Sequence, residues 1–217
     1  MTRLRRPPSP DRTAESTTET SADDSAPDST TTSATTPAGE ADGEWVVTPG
    51  AQVWVGYRAQ EEIGPTALHQ EAVGRTPAVS GTLTITGSII ESVEVTADMT
   101  KLESDKDRRD DRMRSDGIET DAFPEATFAL TEPIDLGSVP AVGEAVTVSA
   151  TGDLTIHGAT SSVTMELEAR WNGDTIDVAG STPILFDDYG IENPSVAGLI
   201  SVEDAAVMEL QLTFARA

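Results

Sequence analysis

From about residue 53 onward, apolar side chains recur at every second position, a period that builds strands and excludes helices. Val53, Val55 and Tyr57 alternate with Trp54 and Gly56, and Val79, Gly81, Leu83 and Ile85 with Ser80, Thr82 and Thr84. Val93, Val95, Ala97 and Met99 follow, then Val146, Val148, Ala150, Leu154 and Ile156. Val163, Met165, Leu167 and Ala169 continue the pattern, and Met208, Leu210, Leu212 and Phe214 end it. Successive strand side chains point to opposite faces, so each run has a dry face and a wet one. That is the mark of antiparallel strands with one side in water. No stretch between the runs is long enough for a helix that could cover a sheet, which excludes a parallel α/β architecture.

Turn chemistry agrees with the pattern. Asn172-Gly173 predicts a two-residue turn with positive φ at both positions. It would pair Trp171 with Asp174, Ala169 with Ile176 and Leu167 with Val178, all apolar partners on one face. A turn at Gly158-Ala159 would likewise pair Leu154 with Val163 and Gly152 with Met165. A sandwich or a barrel remains, and many consecutive hairpin-linked, one-sided strands favour closure, which removes exposed edges. The expected fold is all-β: an eight-stranded antiparallel up-and-down barrel, lipocalin-like, with short helical or turn segments near 105–123 and 187–193. At this strand number the interior is either filled with side chains or holds one small ligand.

Composition divides the chain and narrows its partners. Aromatics make up only 4% of the 217 residues, and the dilution is local. Residues 1–44 are rich in Ser, Thr, Pro and acid, with almost nothing to bury. Ordering such a segment costs about 1–2 kcal/mol per residue in backbone entropy. A disordered segment is therefore expected over 1–44 and a barrel domain over 45–217. The formal net charge is -24, from 38 acidic against 14 basic residues. That sign opposes binding to phosphates or docking through a basic face, so no nucleic acid is expected as a partner. It suits a saline setting in which self-repulsion is screened. Without cysteine there is no disulfide framework, thiol nucleophile or lipidated cysteine. The basic start Met1-Thr2-Arg3-Leu4-Arg5-Arg6 lacks the apolar stretch of a signal peptide, and no transmembrane segment is expected. The chain is thus expected to be cytoplasmic, or to have lost an export signal upstream.

Four motifs, in this order, resemble the YceI-like family of lipid- and polyisoprenoid-binding proteins. They are Arg109-Asp110-Asp111-Arg112-Met113-Arg114-Ser115, Phe123-Pro124-Glu125-Ala126-Thr127-Phe128, Gly152-Asp153-Leu154-Thr155-Ile156-His157-Gly158 and Asp188-Tyr189-Gly190-Ile191. Arg112 stands where many members carry His, and Gly117-Ile118 replaces a usual Phe-Phe pair. The resemblance implies a lipocalin-like barrel around a hydrophobic channel, a bound isoprenoid lipid or quinone in place of a cofactor, and a periplasmic or extracellular location. It leaves open a homodimer and the identity of the hydrophobic small-molecule ligand.

On this reading the inward faces line a ligand channel or its mouth. The residues concerned are Val55, Tyr57, Leu83, Ile85, Val95, Met113, Phe123, Phe128, Leu154, Ile156, Met165, Leu167, Ile176, Phe186 and Tyr189. Each methylene leaving water gains about 0.8 kcal/mol, so such walls hold a polyprenyl tail with few polar contacts. The small residues Gly81, Ala97, Ala150, Gly152 and Ala169 leave room for it. The alternative is a filled core in a structural or protein-interaction barrel. Arg109 with Asp110 is expected to fix the 105–123 connection as an ion pair or to hold a head group. His157 is expected to satisfy backbone groups at its turn. No catalytic residues are assigned, since no base stands beside a nucleophile in any recognisable pattern. The acidic run Asp105, Asp107, Asp110, Asp111 and Asp116 lacks the Gly and Glu that a calcium loop requires, so no metal is expected.

Overall fold

A computed structural model describes residues 41–50 and 52–217; the expected disordered segment falls almost wholly outside them. In chain order the elements are β1 (Gly43–Val47), β2 (Trp54–Ile63), β3 (Leu68–Thr76), β4 (Val79–Thr86), β5 (Ile89–Asp98) and β6 (Glu103–Ser104). The helix α1 (Asp107–Ser115) follows, then β7 (Glu125–Leu130), β8 (Ile134–Asp135), β9 (Ala145–Ile156), β10 (Ala159–Trp171), β11 (Thr175–Leu185) and β12 (Ile200–Arg216). Single turns of 3-10 helix lie at Met99–Lys101 and Phe186–Tyr189.

These segments form an eight-stranded antiparallel closed barrel. β1 and β2 both pair with β12, at Val47 with Phe214 and at Val55 with Leu210, and so form one interrupted course of chain. β3 and β4 continue each other in the same way, paired to β2 and β1. β5 and β6 pair in turn with β4 and β3. From there β7, β9, β10, β11 and β12 follow, each hydrogen-bonded to the one before. The first course meets the last, and the ring closes in strict up-and-down order. β8 is a short addition paired to Ile89 and Ile90 of β5.

The interruptions have local causes. Pro77 lacks the N–H that would carry β3 straight into β4. Thr76, fully buried, donates its hydroxyl to the Asp98 carbonyl at 2.9 Å and accepts the Ala78 N–H at 3.2 Å. One side chain thereby joins the bends of two neighbouring courses and leaves no orphaned polar atom. Asp98 caps the 3-10 turn, accepting the Thr100 N–H at 2.9 Å.

Both predicted hairpin registers are corrected by two residues. The turn after β9 is His157-Gly158, with φ of 52° and 71°, so Leu154 pairs with Ser161 and Gly152 with Val163. The turn after β10 is Gly173-Asp174 and takes positive φ only at Gly173, so Trp171 pairs with Ile176 and Ala169 with Val178. The turn needing two left-handed residues is thus the one begun by a histidine, not the Asn-Gly. A slip of two preserves which face each side chain occupies, whereas a slip of one would invert it. The inward faces expected from sequence therefore survive both corrections.

Candidate functional site: an apolar lumen in two chambers

The inward side chains do not fill the barrel. Toward the end carrying the loop between β8 and β9, an upper chamber has roughly 1290 Å³ unoccupied by protein atoms, part of it continuous with solvent. Val55, Leu83, Ile85, Val95, Phe128, Leu154, Met165, Leu167 and Ile176 all stand on its wall, as do Trp171, Val139 and Phe214. Ala97, Ala150 and Ala169 contribute the expected small residues. Gly152 works differently: the Phe128 ring lies where its side chain would be, so this glycine admits an aromatic rather than a void.

A lower chamber of roughly 810 Å³, counted the same way, lies at the α1 end. Tyr57, Ile156, Phe186 and Met113 line it, with Met99, Leu102, Ile184, Ile191, Pro194 and Val202. Gly117 and Ile118, where the family's aromatic pair is replaced, also face this space. Phe123 and Tyr189 line neither chamber. Phe123 packs against His157 instead, its ring meeting the imidazole edge-on at 4.3 Å between centroids, while Tyr189 reaches His157 through its backbone carbonyl.

His157 ties the loops of the α1 end together. Its Nδ1 donates to the Tyr189 carbonyl at 3.1 Å, and its Nε2 faces Glu119 Oε2 at 2.7 Å. It serves a backbone group as expected, but in another loop and with a carboxylate as second partner. The left-handed backbone at position 157 aims the ring across the barrel end.

Arg109 does not pair with Asp110. Its Nη2 and Nε donate to Glu61 at 3.0 and 3.3 Å, and its Nη1 donates to Asp105. Asp110 instead accepts the Ser104 N–H at 2.9 Å and pins the chain entering α1. The Arg109 and Glu61 side chains are only 9% and 11% exposed. Burial disfavours the guanidinium charge, yet the hydrogen bonds to Glu61 and Asp105 outweigh that and raise its pKa above the ordinary value. Arg112 donates to the Pro194 carbonyl at 3.0 Å, so α1 is fastened both to β2 and to the loop before β12. The helix closes the lower chamber as a result.

Glu61 was absent from the sequence-derived candidates, although its position advertised it. Val55, Tyr57, Ala59 and Glu61 share one parity on β2, and the first three face inward. A carboxylate in that register calls for a cation. Tyr57 neighbours the pair. Its hydroxyl is buried without a partner, and its pKa is driven far above the ordinary phenol value, first by burial. Arg109 opposes that rise, while Glu61, Asp110 and Asp105 add to it. Among the described residues no three His, Asp or Glu side chains are grouped to hold a metal ion, and no helix is long and apolar enough to cross a membrane.

Fold and site together define a closed up-and-down β-barrel whose apolar lumen can accept a hydrophobic small molecule. The YceI-like domain model matches residues 54–214, and the chain belongs to that family. It is 32% identical over 118 residues to a UPF0312 protein of Vibrio parahaemolyticus, covering 51% of this chain and 59% of that protein. A UPF0312 protein of Shewanella denitrificans is 33% identical over 107 residues, covering 46% and 52%. The matched region thus spans between half and three-fifths of these curated relatives. Among solved structures, a polyisoprenoid binding domain from Saccharophagus degradans, implicated in plant cell wall breakdown, superposes with a TM-score of 0.61 at 21% identity. It covers 80% of this chain and 98% of that one. Burkholderia cenocepacia BcnA gives a TM-score of 0.53 at 19% identity, covering 73% and 95%. At these identities the likeness supports the shared fold.

Proposed function

We propose that residues 45–217 bind, sequester or carry a polyisoprenoid or a similar amphiphilic lipid inside the barrel. One observation carries this reading: two abutting chambers run through the lumen with walls that are almost entirely hydrocarbon. Burying apolar surface drives such binding without directional contacts, which suits a long flexible tail. The polyisoprenoid-binding domain with the same fold adds support. The role is binding rather than catalysis. Among the described residues Glu61 is the one carboxylate on the walls of these chambers, and Arg109 already holds it. An open lumen also favours this reading over a solid-cored interaction module. Native mass spectrometry and organic extraction of gently purified protein should reveal a co-purifying apolar molecule. Protein that is repeatedly empty, and that takes up neither polyprenols nor fatty acids, would overturn the proposal.

A further inference from the structure

The upper and lower chambers share three wall residues: Val55, Ala126 and Met208. Met208 lies on β12 and Ala126 on β7, four strands apart in either direction around a ring of eight. They therefore face each other across the lumen. Met208 is buried in its inward register, paired with Thr182 of β11 and Tyr57 of β2. The waist between the chambers thus brings one long unbranched side chain, with Val55 of the adjacent β2 beside it, up against a methyl group on the opposite wall. Methionine has three rotatable bonds and a thioether that adapts to irregular space, so it can obstruct a lumen without rigid packing.

We infer that Met208, set against Ala126, is a partition that determines how long an apolar chain the barrel accepts. This rests on the lipid-binding role proposed above and names the specificity-determining residue within it. With the thioether across the waist, a tail is held in the upper chamber. Trimming that side chain joins both chambers into one channel and lets a longer tail bury its remaining units. Enlarging Ala126 thickens the partition from the other side.

The test compares wild type, Met208→Ala and Ala126→Leu against farnesol, geranylgeraniol and solanesol, followed by tryptophan fluorescence, since Trp171 lines the upper chamber. Met208→Ala should raise the affinity ratio of solanesol to farnesol by about tenfold, equal to about 1.4 kcal/mol. Ala126→Leu should leave that ratio at or below the wild-type value. Far-UV circular dichroism and a cooperative thermal transition in each ligand-free protein show that each barrel is intact. An unchanged ratio in Met208→Ala, or an equal rise in Ala126→Leu, overturns the partition while leaving lipid binding in place. Wild type that binds none of the three prenols overturns the binding role and the partition with it.

Discussion

Cutting the Arg109–Glu61 pair should cost more than any surface ion pair in this barrel. Arg109→Met keeps the unbranched stem but removes every donor that Glu61 now uses. The stranded carboxylate would sit with its side chain 11% exposed, on the wall of an apolar chamber beside Ala59 and Ala72. Removing one partner of a buried pair costs about 3–5 kcal/mol, because the remaining charge stays desolvated. Arg109→Met should therefore lose about 3 kcal/mol in urea denaturation at neutral pH. Glu61→Leu combined with Arg109→Met replaces both charges by hydrocarbon and should return to within about 1 kcal/mol of wild type. Asp105, 60% exposed, is the control: Asp105→Asn should leave the urea midpoint close to that of wild type. A double-mutant cycle then isolates the coupling. The reasoning fails if Arg109→Met loses less than about 1 kcal/mol, or if the double variant is no more stable than that single one.

Three further outcomes follow from other parts of the molecule. Gly152→Ala would press a methyl into the Ala129 carbonyl and the Phe128 ring, and should lower stability by about 1–3 kcal/mol in the same assay; a neutral result would mean that β7 yields easily. The raised phenol of Tyr57 contributes stability that is fully present below the unfolded value near 10 and is lost as pH climbs from there toward the folded value. Tyr57→Phe should flatten that alkaline decline by up to about 1.4 kcal/mol per pH unit, and denaturation curves with matching slopes for both proteins would refute it. With a net charge of -24, the melting temperature should rise between low and molar sodium chloride, and a flat profile would argue against self-repulsion.

The barrel was legible in the sequence because its physics is local. Val163, Met165 and Leu167, like Leu210, Leu212 and Phe214, expose their faces through parity alone, and parity survives an error of two in register. The registers themselves were not legible. Asn172-Gly173 carries the residue pair that favours two left-handed positions, yet the turn lies at Gly173-Asp174, where the Asn172 N–H bonds to the Thr175 carbonyl and the Trp171 indole N–H to the Gly173 carbonyl. His157 shows the converse, a residue held at positive φ because its ring has partners in two distant loops. The partner of Arg109 could be found only by asking why a glutamate occupies an inward position on β2. The division of the lumen was out of reach for a different reason: Met208 and Ala126 are separated by about half of the domain in sequence and meet only after closure.

The interrupted first course has a consequence for how the molecule comes together. Seven of the eight wall contacts join neighbours along the chain, whereas the eighth joins Trp45 to Arg216, with the Ala217 N–H reaching the Glu44 carbonyl at 3.0 Å. That seam demands the largest loop closure, and β1 contributes only three residue pairs to it against the nine from β2, so its β1 stretch should zip last during folding and fray first under strain. Hydrogen exchange should reveal the β1 stretch as the less protected part of that seam, a local slit beside Phe214 and the upper chamber that opens while the β2 stretch stays shut.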